Sequence, residues 1–242
     1  MKQTISRTPY FLLLIACVLL LLAGCGGDDE SAASSASSSA DAITVPGALP
    51  WQQIGDSDLK VLSANTYPTG SGEYVYLVGE VENTTDQPLT AVKITANGYN
   101  DQGQVFETEE TETLIDTIAP GQKAPFSAAM DARDIERYEL DVTSEAASAA
   151  PAYQLEIVDP SETEPKSGYV WFEGEVSNTG NVAVDKVRVV AVLYDQDGKV
   201  VEVASQDLKD PLAVGDKAAF KFIANHRGST SYELLVTASE AQ

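Results

Sequence analysis

The chain has 242 residues and a formal net charge of −22, with 37 acidic against 15 basic side chains and one histidine. Such an excess of carboxylates argues against a nucleic-acid partner, which needs a basic face to release counterions. One histidine and two cysteines leave too few ligands for a zinc site of the usual type.

The first element is an export signal. Lys2 and Arg7 give a short positive start, Tyr10 to Leu22 is almost unbroken apolar sequence, and Ala23-Gly24 supplies small residues at a cleavage point. The apolar part falls short of the roughly 20 residues that a permanent membrane helix needs. No other run approaches that length, so no further span is expected. Leu22-Ala23-Gly24-Cys25 resembles the lipobox of bacterial lipoproteins. That resemblance implies a diacylglyceryl group on the Cys25 sulfur, cleavage before Cys25, and an acyl chain such as palmitate on the new amino end. Two or more acyl chains make a stable anchor where one is marginal. The expected location is therefore the bacterial envelope, lipid-anchored to the cell membrane or the outer membrane. Cys17 leaves with the signal peptide (1–24), so the mature chain has no cysteine partner for a disulfide and must fold by packing alone. It carries 13 basic against 37 acidic residues, because residues 1–24 contain Lys2, Arg7 and no carboxylate.

Residues 25–42 follow as the lipidated cysteine and a linker. Gly26 to Ala42 (GGDDESAASSASSSADA) has no aromatic or β-branched residue, so it buries too little to offset its ordering entropy. As a coil it would span roughly 20–25 Å and lift a folded body off the headgroups. Residues 43–58 are an N-terminal extension in which Trp51 is expected to pack against the next domain or cap its edge.

The remaining chain contains itself twice. GEVENTTDQPLTAVKITANGYNDQGQVFE from Gly79 and GEVSNTGNVAVDKVRVVAVLYDQDGKVVE from Gly174 match at 11 of 29 positions with an offset of 95. Downstream the offset falls to 94, where Tyr138-x-Leu140-x-Val142-Thr143 meets Tyr232-x-Leu234-x-Val236-Thr237. Alternation is β throughout. Val75, Leu77 and Val81 share one face, with Glu80 and Glu82 on the other; Val170, Phe172 and Val176 repeat this against Glu173 and Glu175. Asn83-Thr84 and Asn178-Thr179 begin turns, and Gln102-Gly103 and Asp197-Gly198 close hairpins. No segment carries helical periodicity over three turns. The fold class is therefore all-β: two tandem immunoglobulin-like β-sandwiches, 59–145 and 153–240. The small-residue linker between them (SEAASAAPA) predicts two beads with some freedom.

A strand ending in Gly-Glu-Val-x-Asn-Thr, a strand ending in Leu193-Tyr194-Asp195, then Gly198 and a turn before Phe220 resemble the FxLYD domain. The resemblance implies an immunoglobulin-like extracellular module common on bacterial lipoproteins, with no assigned activity and no catalytic residues. Ala191 stands where the family has Phe, and the first copy reads Ala96-Asn97-Gly98-Tyr99-Asn100.

Candidate chemistry is sparse. His226 lies in an Asn-His-Arg-Gly loop with no Gly-x-Ser-x-Gly elbow to serve. Asp195-x-Asp197-Gly198 resembles the start of a calcium loop, but Gln206 stands where the twelfth-position carboxylate belongs. The carboxylate pairs Glu80/Glu82 and Glu173/Glu175 read as solvated neighbours rather than an acid–base dyad across a cleft. Tyr76 and Trp171 occupy one position in the two copies and fall on the charged face. Each is either a contact for sugar, peptide or a partner domain, or is covered by a neighbouring strand or by a stem such as Lys93 or Arg188. No cofactor is expected. The sequence thus predicts a non-catalytic, membrane-tethered interaction or scaffold element, with an envelope protein or glycan as partner. The alternatives are a module binding Ca²⁺ (through Asp195 and Asp197) or glycan, and, remotely, a hydrolase.

Overall fold

A computed structural model describes residues 2–4, 49–55, 58–69, 74–131, 135–163 and 165–240. Apart from Lys2–Thr4, the signal peptide, Cys25, the linker and residues 43–48 lie outside the described residues. The described elements are all strands: β1 (Lys2–Thr4), β2 (Trp51–Gly55), β3 (Leu59–Pro68), β4 (Tyr74–Asn83), β5 (Leu89–Tyr99), β6 (Val105–Glu112), β7 (Thr117–Ile118), β8 (Lys123–Asp131), β9 (Arg137–Ala146), β10 (Leu155–Glu162), β11 (Tyr169–Asn178), β12 (Val184–Tyr194), β13 (Val200–Asp207), β14 (Lys217–Asn225) and β15 (Ser231–Glu240).

The alternating sequence closes into two sandwiches. In the first module the sheet β3-β4-β8 faces the sheet β2-β9-β5-β6, with β7 beside β5. In the second, β10-β11-β14 faces β15-β12-β13, with β1 along Ser231–Glu233 of β15. Both follow the strand order of an immunoglobulin-like sandwich. Pairing is antiparallel except that β2 runs parallel to β9, with Trp51 opposite Tyr138. The N-terminal extension thus enters the first module's sheet, and Trp51 packs half-buried against its core.

The repeated motif residues are structural. Gly79 pairs with Phe126 across β4 and β8, and Gly174 with Phe220 across β11 and β14. A Cβ at Gly79 would lie 2.3 Å from the Phe126 ring and 2.4 Å from the Ser63 carbonyl oxygen, so the ring occupies the space a side chain would take. Asn83, fully buried, donates through Nδ2 to the carbonyls of Gln87 and Ile118 and accepts from the Thr85 N–H. Asn178 repeats this with Val182, Leu212 and Gly180. Each Asn satisfies loop carbonyls that would otherwise be buried without a partner. The copies share even their irregularities, since Ala91 and Lys186 take positive φ at equivalent bulges in β5 and β12.

The two sandwiches are not spaced apart like separate beads but pack on each other. They form one compact unit over residues 46–242, and one buried apolar cluster runs from the first module into Val190, Val192, Tyr194, Val200 and Val203 of the second. The expected spacing is corrected by an apolar outward face on β12: inward Val187, Val189, Ala191 and Leu193 build the second module's own core, and outward Val190, Val192 and Tyr194 pack on the first module.

Candidate functional site

The seam between the modules is built by the outward face of β3-β4-β8 and the outward face of β15-β12-β13. Val78 and Glu80 point outward from β4, and both are buried there. Glu80 is 2% exposed, which corrects its expected place on a solvated face. The Tyr194 hydroxyl donates to Glu80 Oε1 at 2.7 Å, and Lys123 Nζ donates to Oε2 at 3.1 Å. A buried carboxylate survives because both oxygens are answered, one by an opposite charge. Burial, then the Glu80 charge, keeps the Tyr194 hydroxyl protonated far above its ordinary range. Beside this triad the first module grips the exposed edge strand β13. Ser63 Oγ accepts the Val200 N–H at 3.2 Å, and Asn65 Nδ2 donates to the Val200 carbonyl. Those backbone groups belong to an edge that would otherwise be open. At the seam's end the Arg227 guanidinium lies 4.4 Å over the Tyr67 ring and pairs with Glu202.

Each module also has a second sheet, equivalent to the one its neighbour uses at the seam, whose outward face the seam leaves uncovered. On the second module's β10-β11-β14 sheet, Lys217 pairs with Glu175 at 3.5 Å and Lys221 with Glu173 at 2.6 Å. Trp171 (41% exposed) lies opposite Ile223 on the same face, with Tyr169 next along β11. On the first module's β9-β5-β6 sheet, Tyr99 is the counterpart of Tyr194. Its hydroxyl donates to Glu139 Oε2 at 2.7 Å, and Arg137 stacks 3.9 Å over its ring. The hydrogen bond to Glu139 raises the Tyr99 hydroxyl above its usual range and, with Arg137, lowers the Glu139 carboxyl.

The sequence-predicted residues fall as follows. Tyr76 is 44% exposed, next to Tyr67 across β3–β4. Over Trp171 the nearby cation is Lys221, its Nζ 5.4 Å from the ring, whereas Arg188 pairs with Asp207 and Lys93 with Glu110. Asp195 Oδ1 accepts the N–H groups of Asp197 and Lys199, as Asn100 Oδ1 accepts those of Gln102 and Gln104 in the first copy. The carboxylate is thus employed in shaping the hairpin, with Asp197 exposed at its tip. His226 Nδ1 accepts the Gly228 N–H within its own turn. Among the described residues, no three His, Cys, Asp or Glu side chains are placed to hold a metal. Cys25 lies outside the described residues. Sequence reasoning missed the Glu80–Tyr194–Lys123 triad, although the unbroken apolar run Val189–Leu193 signals a strand buried on both faces.

Clefts are open and shallow. One of about 370 Å³ is lined by Leu49, Pro50, Trp51, Leu62, Asn65 and Lys199 among others. Another of about 420 Å³ lies between the end of β13, the loop after it to Leu212 and the start of β14. Neither gathers an acid, a base and a nucleophile.

No family model matches the chain, and no curated protein matches it. Among solved structures, the chain is similar to the crystal structure of red sea bream transglutaminase, at 8% identity and a TM-score of 0.24. The alignment covers 77% of this chain and 32% of that one, so the chain spans about a third of its length.

Proposed function

We propose that the protein is a lipid-anchored element of a bacterial envelope, held by acyl chains on Cys25, that acts without catalysis as an interaction or scaffold module. The observation that carries the interaction half is the outward face of β10-β11-β14, where Trp171, Tyr169 and Ile223 are exposed side by side. In a chain this acidic, that face is nearly neutral, because Lys217 and Lys221 answer Glu175 and Glu173. An outward sheet face with aromatic anchors and balanced charge suits a protein surface better than a small substrate. The anchor half rests on the Leu-Ala-Gly-Cys sequence and the polar linker after it. The resemblance to FxLYD modules, which have no assigned activity, agrees with both.

Labelling cells with an alkyne-bearing palmitate analogue and fractionating the envelope tests the anchor. The wild-type chain is expected in the membrane fraction with label, and the Cys25→Ala chain without label and out of that fraction. An unlabelled wild-type chain, or a Cys25→Ala chain that stays membrane-bound, overturns the anchor.

A further inference from the structure

Each module has one sheet whose outermost strand comes from the N-terminal part of the chain: β2 beside β9 in the first, and β1 beside β15 in the second. By the offset of 94, Tyr232 and Glu233 of β15 are the counterparts of Tyr138 and Glu139 of β9. Trp51 and Gln52 stand opposite the first pair, and Gln3 and Lys2 opposite the second. The second module supplies no such strand itself. The residues that the offset sets against β2, 145–149, finish β9 and begin the linker. Cleavage before Cys25 removes β1 and keeps β2. We infer that the β15 edge of the mature chain is a strand-accepting site. Its occupant is an extended basic segment of another envelope protein, paired antiparallel with β15 from Ser231 onward. The inference rests on the cleavage in the anchor reading, and it adds a contact distinct from the aromatic face.

Three observations carry it. The first is the strand already seated there, since Lys2 to Thr4 run antiparallel to Ser231–Glu233 in unbroken register. The second is that this edge has no guard. Open edges are normally blunted by proline, charge or a bulge. Here β10 has the Asp159-Pro160 bulge, β8 has Pro125, and β6 has Glu107, Glu109, Glu110 and Glu112. From Ser231 to Ser239, β15 has no proline and no lysine. The third is charge. On the first module Arg137 pairs with Glu139 at 2.7 Å along one strand. Ser231 stands in the place of Arg137, so no arginine of its own strand answers Glu233. The position opposite Glu233 is held in β1 by Lys2, and a partner segment fits with a cation there.

The site is short. The Ala238 N–H donates to the Tyr153 hydroxyl at 3.3 Å, so the module's own tyrosine closes the far end of the edge. Strand alternation turns Leu234 and Val236 to the same side as Ala238. An incoming segment therefore has Ser231 to Val236 to pair with. Main-chain bonds supply its affinity, and Glu233 selects its charge.

The mature chain is isolated from envelopes in detergent, isotope-labelled, and titrated with the acetylated peptide Met-Lys-Gln-Thr-Ile-Ser of residues 1–6 while amide signals are followed by NMR. Saturable shifts are expected at Ser231 to Val236. A peptide with Gln3→Pro, which lacks a ladder N–H, is expected to leave them unmoved. Lys2→Glu in the peptide is expected to weaken binding about fivefold, and Glu233→Lys in the chain to restore binding of that peptide. No shifts, shifts that the proline peptide matches, or shifts elsewhere overturn the inference. So do shifts at these residues on concentrating the chain alone, which make a second copy the occupant. Mass measurement of the same sample separates the two readings. A chain that still begins at Met1 sinks the cleavage and the inference with it. A chain that begins at lipidated Cys25 and ignores the peptide sinks the inference alone.

Discussion

The two modules descend from one pattern and use it in opposite ways. In the first, the β3-β4-β8 face is covered and the β9-β5-β6 face is free; in the second, β15-β12-β13 is covered and β10-β11-β14 is free. The covered faces have apolar residues where the free ones have polar residues: Val78 against Glu173, Val190 against Thr95, Val192 against Asn97. The residues of the polar triad recur on the free faces, Tyr99 on the first module and Glu175 with Lys217 on the second, but they meet only at the seam. Apolar outward residues therefore mark which face is buried.

Removing the carboxylate at the two equivalent places breaks this comparison most sharply. Glu80→Ala takes from Tyr194 and Lys123 their shared acceptor inside an apolar seam, leaving Tyr194 only the longer contact to Glu233, at a cost of about 2–3 kcal/mol. Glu175→Ala removes an exposed pair and should stay within about 0.5 kcal/mol. Urea titration of the two variants is the check, and equal losses would mean that Glu80 is not the keystone of the seam.

The glycines come next in size. Alanine at Gly79 must displace both the Phe126 ring and, through the Ser63 carbonyl, the backbone of β3. Alanine at Gly174 meets the Phe220 ring at 2.8 Å and backbone only at 3.2 Å. Over-packing against an unyielding backbone gives about 2–3 kcal/mol for Gly79→Ala and about 1 kcal/mol for Gly174→Ala. Thermal unfolding that ranks them the other way would show that the ring, not the carbonyl, sets the penalty.

Much of each sandwich was legible because strand alternation and turn residues are local signals. The duplicated Gly-Glu-Val-x-Asn-Thr named the buried Gly and Asn before their jobs were visible. The seam was not legible from Glu80 itself, since a glutamate alternating with Val81 reads as solvated. Its burial is decided by another module some hundred residues away. The local trace of that event is the difference between Ile94-Thr95-Ala96-Asn97, which alternates, and Val189-Val190-Ala191-Val192, which does not. Tyr76 and Trp171 were legible as outward aromatics, but Lys221 as the cation over Trp171 depends on β11–β14 register, which neither strand's sequence states alone.

The smallest contrast is between the equivalent tyrosines of β9 and β15. Tyr138 is 1% exposed, and its hydroxyl has no hydrogen-bond partner. Tyr232 is less deeply buried and meets the Phe172 ring at a tilt of 57°, with centroids 5.0 Å apart. Tyr138→Phe removes an orphaned hydroxyl and should stabilise the protein by about 1 kcal/mol, while Tyr232→Phe brings no such gain. Burial, then the Glu107 charge, pushes the Tyr138 hydroxyl up to about 12. Its ordinary value is about 10. The raised value means that the fold favours the neutral phenol. Its contribution is complete below pH 10 and is lost as pH rises from 10 towards 12. The Phe variant lacks that alkaline loss, so its advantage over the parent should widen across that window in urea titrations at stepped pH. A constant difference from pH 8 to 12 would mean that the hydroxyl finds water, and that the first module's core is looser than its packing indicates.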